Sequence, residues 1–108
     1  MSANLKLTNS GGSGVSYGRR VIGEIVSLAA TEINGVASLQ RRKIKLRFLL
    51  NNTVNVDVFL AVMLGISAAE VAYKVQENIK RTVESMSSYK VGTVNVNILG
   101  IVFSEQQT

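Results

Sequence analysis

From Ile44 to Val62 nearly every even-numbered residue is apolar: Ile44, Leu46, Phe48 and Leu50, then, beyond Asn52, Val54, Val56, Val58, Leu60 and Val62. Successive side chains of a strand point to opposite sides of the pleat, so a period of two marks a β-strand with one buried face. The interruption Asn-Asn-Thr at 51–53 is turn chemistry, and the pattern reads as a hairpin. A loop at 51–53 sets Leu50 opposite Val54, Phe48 opposite Val56 and Arg47 opposite Asp57. A two-residue loop would instead mix apolar with polar positions on each face, so this register is favoured.

A sheet with one apolar face needs a cover, and the following residues supply it. Ser67 and Glu70 form the capping pattern S-x-x-E, in which the hydroxyl accepts from the amide three residues on. Ala68, Ala72, Val75, Ile79, Val83 and Met86 then form an apolar stripe at helical spacing, with Lys74, Glu77, Lys80, Arg81 and Glu84 mostly outside it. This helix should run to about Ser87, ~30 Å long, close to the ~33 Å of a strand from Val54 to Met63.

An earlier helix is marked by Val21, Ile22, Ile25, Val26, Leu28, Ala29 and Ile33, from about Tyr17 to Asn34, with Gly35 as its stop. Gly23 weakens this helix by ~1 kcal/mol relative to alanine, and close packing should compensate. The last strand alternates Val94, Val96 and Ile98 with Thr93, Asn95 and Asn97, and Gly100 signals a bulge or a strand end. A strand, helix and strand in succession form a right-handed crossover with parallel strands. The expected α+β architecture is therefore helix-strand-strand-helix-strand: a mixed three-stranded sheet with both helices packed on its even face. Residues 1–14, rich in Ser, Asn and Gly, read as a flexible N-terminal arm, and 15–108 as a single domain.

Composition narrows the chemistry. Apolar residues make up 46% of the 108 residues and charged ones 18%, a globular balance. Cysteine and histidine are both absent, which removes disulfides, thiol nucleophiles, the usual general base and the commonest transition-metal ligands. The acids Glu24, Glu32, Asp57, Glu70, Glu77, Glu84 and Glu105 are scattered, and no histidine can activate a serine. No enzyme, metal site or cofactor is expected. The glycine cluster at 11–20 is spaced G-x-G-x-x-x-G, has no clear preceding strand and is followed by Arg19 and Arg20, so it fits no nucleotide loop. The apolar run from Val58 to Ile66 is about half the ~20 residues of a membrane-spanning helix, and the first residues lack a signal-peptide core; a cytoplasmic protein is the expectation.

Two surfaces remain as candidates. The odd sheet face carries Leu49, Phe59, Ala61, Met63, Leu99 and Ile101 beside Asn95 and Asn97, more apolar area than one solvated sheet side should expose. Cover by the N-terminal arm is one account; self-association or docking of another protein is the other. The second surface is the basic run Arg41, Arg42, Lys43, Lys45 and Arg47. A strand would place 43, 45 and 47 on the face away from the helices, and the net charge of +5 favours anionic partners. RNA or another polyanion is therefore the alternative partner, although that face offers only Phe59 for base stacking. A solvated edge whose cations discourage aggregation explains the same residues.

Four segments in order, VIGEIVSLAATEINGV (21–36), VNVDVFLAVMLG (54–65), VAYKVQENIKRTVESM (71–86) and VGTVNVNILGIVF (91–103), resemble the alkaline shock protein family of Gram-positive bacteria. The resemblance spans nearly everything after residue 14. It implies a small cytoplasmic protein linked to cell-envelope stress, with no catalytic residues to carry over. It also implies partners: some members self-assemble, and some are held beneath the membrane by a separate membrane-anchored protein. This chain departs from several relatives in its basic first strand and its positive charge.

Overall fold

The computed structural model describes residues 18–103; the expected arm at 1–14 and the expected helix start at Tyr17 lie outside them. The described chain runs α1 (Arg19–Thr31), β1 (Val36–Leu39), a 3-10 turn (Arg41–Lys43), β2 (Lys45–Leu49), β3 (Thr53–Met63), α2 (Ala68–Met86) and β4 (Lys90–Val102). The α+β class is as the patterns imply, with one more strand than expected. β3 is central. β4 lies parallel to it along one edge, while β1 and β2 both pair antiparallel with its other edge, β1 against its last residues and β2 against its first. The sheet is thus mixed, and its outer antiparallel strand is broken in two by the 3-10 turn.

The short β1 has no visible alternation of its own, since a register shift between Val36 and Ser38 sets Val36 beside Val62 and Leu39 beside Leu60. Both residues join the margin of the core. The core is the even face of β3, where Val54, Val56, Val58, Leu60 and Val62 are buried, closed by Ile22, Ile25, Val26 and Ala29 of α1 and by Val71, Val75, Ile79 and Val83 of α2.

Local chemistry accounts for the helix ends. Ser67 is the N-cap of α2, its hydroxyl accepting from the Glu70 amide at 3.2 Å. α1 ends at Thr31, and the chain reverses through Gly35 at φ +102° to enter β1. The two helices are tied by Asn78, which is buried on α2 and donates to Ala29 O (2.8 Å) and Glu32 Oε1 (3.0 Å) while accepting from Arg81.

The hairpin differs from the expected register by two residues. Leu49 pairs with Thr53 and Phe48 with Val54, so the loop is Leu50, Asn51 and Asn52. Asn51 and Asn52 take positive φ (65° and 55°), a left-handed conformation that asparagine accepts more readily than most residues, and this centres the turn one residue earlier. The even face stays inward because a slip of two preserves parity. Lys45, not Arg47, therefore faces Asp57; Arg47 faces Asn55.

Two glycine substitutions separate the demands of this packing. Gly35→Ala meets both the positive φ and Val71 Cγ2 at 2.6 Å from the added Cβ, so it should destabilise by about 2 kcal/mol or more. At Gly23 the expected close packing is absent, the nearest atom to an added Cβ being Leu46 Cδ1 at 4.0 Å. Gly23→Ala should then stabilise by about 0.5–1 kcal/mol through helix propensity. Urea unfolding midpoints of the two variants should move in opposite directions.

Candidate functional site

The sheet face away from the helices is built from alternate residues of its strands, β1 adding only the exposed Ser38 opposite Ala61. β3 contributes Asn55, Asp57, Phe59, Ala61 and Met63, all half-buried; β2 contributes Lys45, Arg47 and Leu49; β4 contributes Thr93, Asn95 and Asn97. Among the described residues no helix lies on it. Its two halves differ. In one, Asp57 Oδ1 accepts from Asn95 Nδ2 at 2.8 Å and Asn55 Oδ1 accepts from the Thr93 amide at 3.0 Å. Together with Lys45 and Arg47 these groups line a shallow polar basin of about 300 Å³. In the other half Phe59, Ala61 and Met63 run beside Asn97, Gly100 and Val102.

Phe59 is screened from one side by Lys45, whose Nζ lies 5.8 Å from the ring centroid. That arrangement favours a covered cation-π pair over a free stacking platform. Asn97 turns its amide onto the sheet, donating to Val58 O at 3.0 Å. The basin's polar groups are largely satisfied by one another, and no group of three or more acidic, histidine or cysteine residues able to hold a metal occurs among the described residues.

Two bulges in β4 decide where its side chains go. The first falls where Val54 pairs with Val91 and Val56 with Val94; a Cβ at Gly92 would collide with Asn55 Oδ1, which would have to move from its bond to the Thr93 amide. The second falls between Ile98, beside Leu60, and Gly100, beside Ala61. Simple alternation would put Leu99 and Ile101 on the open face with Phe59 and Met63. Instead Leu99 occupies the bulge and Ile101 pairs with Val62, which turns it to the helix-side face. Of the candidate contact residues, Phe59, Met63, Asn95 and Asn97 do share the open face.

Leu99 and Ile101 are nevertheless exposed, at 54% and 57%, as are Val102 and Phe103 next to them. Among the described residues β4 pairs only with β3, which leaves it a free edge 13 residues long. No charged residue occurs from Val91 to Phe103. Strand edges that must stay unpaired are usually short, charged or interrupted by proline. α2 reaches over this one in part, through Gln76 Nε2 donating to Val94 O at 3.0 Å.

The basic run is divided. Lys45 and Arg47 are on the open face, but Arg41, Arg42 and Lys43 form the exposed 3-10 turn at the middle of the opposite edge, where the Gln40 amide bonds Phe59 O at 2.9 Å. The expectation that Lys43 shares a strand face with Lys45 and Arg47 is thus corrected. The break follows from β1 and β2 pairing with separate stretches of β3, which leaves the residues between them to span the gap.

Two helices on one side of a mixed sheet, with the other side and one edge uncovered among the described residues, define a small α+β domain. The chain belongs to the alkaline shock family of cell envelope-related function that its motifs resemble, and the model of that family matches residues 8–103. It is 32% identical to the protein YqhY of Bacillus subtilis (strain 168) over 82% of this chain and 77% of that protein. It is 25% identical to the protein Spy1535 of Streptococcus pyogenes serotype M6, over 77% and 74% respectively. Among solved structures, one MamM CTD variant superposes with a TM-score of 0.55 at 13% identity, covering 77% of this chain and 99% of that one. A nickel form of another variant gives 0.52 at 14%, over 80% and 99%. These structures share the fold. No helix among the described residues is long and apolar enough to cross a membrane.

Proposed function

We propose that this protein is a non-enzymatic scaffold of the cell envelope-related alkaline shock family, acting by self-association along the β4 side of its sheet. The observation that carries this reading is the free edge of β4, uncharged from Val91 to Phe103 and lined by exposed Ile98, Leu99, Ile101 and Val102. Its unpaired backbone groups can accept a further strand, and its lack of charge lets a second copy of a cationic chain approach there without repulsion. The adjoining open face, with Phe59, Met63, Asn95 and Asn97, extends the same contact. A membrane-anchored protein partner is a second occupant of this surface, and it would keep a cytoplasmic protein close to the membrane.

Leu99→Asp combined with Ile101→Asp should convert assemblies of the protein to monomers in light scattering after size exclusion, with unchanged far-UV circular dichroism because both side chains are already exposed. Loss of one buried apolar side chain costs an interface about 2 kcal/mol, roughly thirtyfold in dissociation constant. Phe59→Asp tests the open face separately from the edge. A parent protein that is strictly monomeric at the highest attainable concentration would defeat the self-association reading.

A further inference from the structure

The tip of the β2–β3 hairpin carries an apolar side chain that the fold does not use. Leu50 is 86% exposed, more than any other large apolar residue among those described, and Leu49 beside it is 43% exposed. The turn depends on Asn51 and Asn52, which take the positive φ values, and makes no demand for leucine at 50. A single exposed leucine is ordinary on a protein surface, so it is the pairing with Leu49 and with the cations at this end that gives Leu50 meaning.

Cations lie at this end of the molecule. Arg47 stands two residues before Leu49 on β2. Lys90 is brought alongside the turn by its amide, which donates to Asn52 O at 2.8 Å. The start of α1 is fixed at the same end: Arg19 Nη1 donates to Leu46 O at 2.8 Å, and its guanidinium lies 5.0 Å from the Phe48 ring centroid. Arg20 follows it, exposed. Phe48 in turn packs edge-on against Tyr89 at 5.0 Å, so the hairpin, the start of α1 and the start of β4 form one end of the molecule. An acid near this end, Glu84, is already engaged: it accepts from the Val91 amide at 2.8 Å and faces Lys80 at 3.6 Å. Arg19 and Arg20 also occupy the first turn of a helix, where the dipole disfavours cations and a bound anion would offset it.

We propose that this end docks on an anionic lipid surface, with Leu50 and Leu49 entering the headgroup boundary and Arg47, Lys90, Arg20 and Arg19 meeting lipid phosphates. An exposed apolar tip with cations at the same end of the molecule matches the two layers of such a surface. RNA matches it less well. Single strands bind through free aromatic faces, whereas Phe48 is covered by Arg19 and packed on Tyr89, and Phe59 lies beneath Lys45. An RNA phosphate backbone also offers nothing to an exposed leucine.

The test is flotation of the full chain with vesicles of phosphatidylcholine alone and of phosphatidylcholine mixed equally with phosphatidylglycerol. The protein should float with the mixed vesicles, stay behind with the neutral ones and be released by high salt. Leu50→Ser should weaken the association about tenfold through lost apolar burial, and Arg47→Gln about fivefold through one lost cation. Both should leave the melting temperature unchanged. No flotation with the mixed vesicles at low ionic strength, or equal flotation of Leu50→Ser, would overturn the proposal. Poly-uridine displacing the protein from vesicles, with Leu50→Ser binding it as tightly as the parent does, would reassign the cations to nucleic acid.

Discussion

Burial of one face of β3 is the constraint on which the other elements depend. Val54, Val56, Val58, Leu60 and Val62 are each at most 1% exposed, and removing side chains of this kind from water stabilises by about 1.5–3 kcal/mol apiece as an upper figure. A single strand cannot achieve this alone. β3 is hydrogen-bonded on both edges, by β1 and β2 on one and β4 on the other, and the helices supply the cover. The other face inherits only what the strands provide for themselves, which is why Asn55, Asp57, Asn95 and Asn97 satisfy one another or the backbone across it.

That division also sorts the charge. In the helix layer Arg19, Arg20, Lys74, Lys80 and Arg81 are balanced by Glu24, Glu32, Glu70, Glu77 and Glu84. Between Gly35 and Ile66 the cations Arg41, Arg42, Lys43, Lys45 and Arg47 meet a single acid, Asp57. β4 beyond Lys90 carries no charge through Phe103. Within these elements most of the positive surplus therefore lies on one edge of the sheet, and the opposite edge is uncharged beyond Lys90 at its start. At the ionic strength of a cell such charges act over about 8 Å, so the two edges behave as distinct surfaces.

Legibility in the sequence follows the strength of the local signal. The even-numbered apolar face, the Ser67 cap and the parallel pairing of β3 with β4 are readable because each repeats or fixes one physical requirement at known spacing. β1 is not, since four residues containing a bulge show no period. The apolar count alone misplaces the hairpin register by two, because the turn is set by two asparagines in left-handed conformation. On the candidate surface, Phe59, Met63, Asn95 and Asn97 fall where alternation puts them. Leu99 and Ile101 do not, because the bulge before Gly100 changes parity, and a glycine in a strand signals a bulge without saying which side chains it will turn. Leu50 looks like part of the inward face for the same reason that the register slips.

The bulge that displaces Ile101 also changes what β4 can do. With regular alternation its apolar residues would lie on the open face, and the edge itself would be flanked by asparagines. The parity change instead distributes exposed side chains to both sides of the strand's last third, with Leu99 in the bulge, Ile101 beside Val62 and Val102 beside Met63. An incoming strand would then meet apolar contacts above and below the plane of its hydrogen bonds, the condition under which edge pairing buries surface on both faces rather than one. The hairpin tip lies at the opposite end of β3 from this segment, since Leu49 pairs with Thr53 and Val102 with Met63. The 11 residues of β3 separate them, roughly 35 Å at the usual rise. A chain anchored by its hairpin would consequently hold the apolar end of β4 away from the anchoring surface, where it is free to meet a protein.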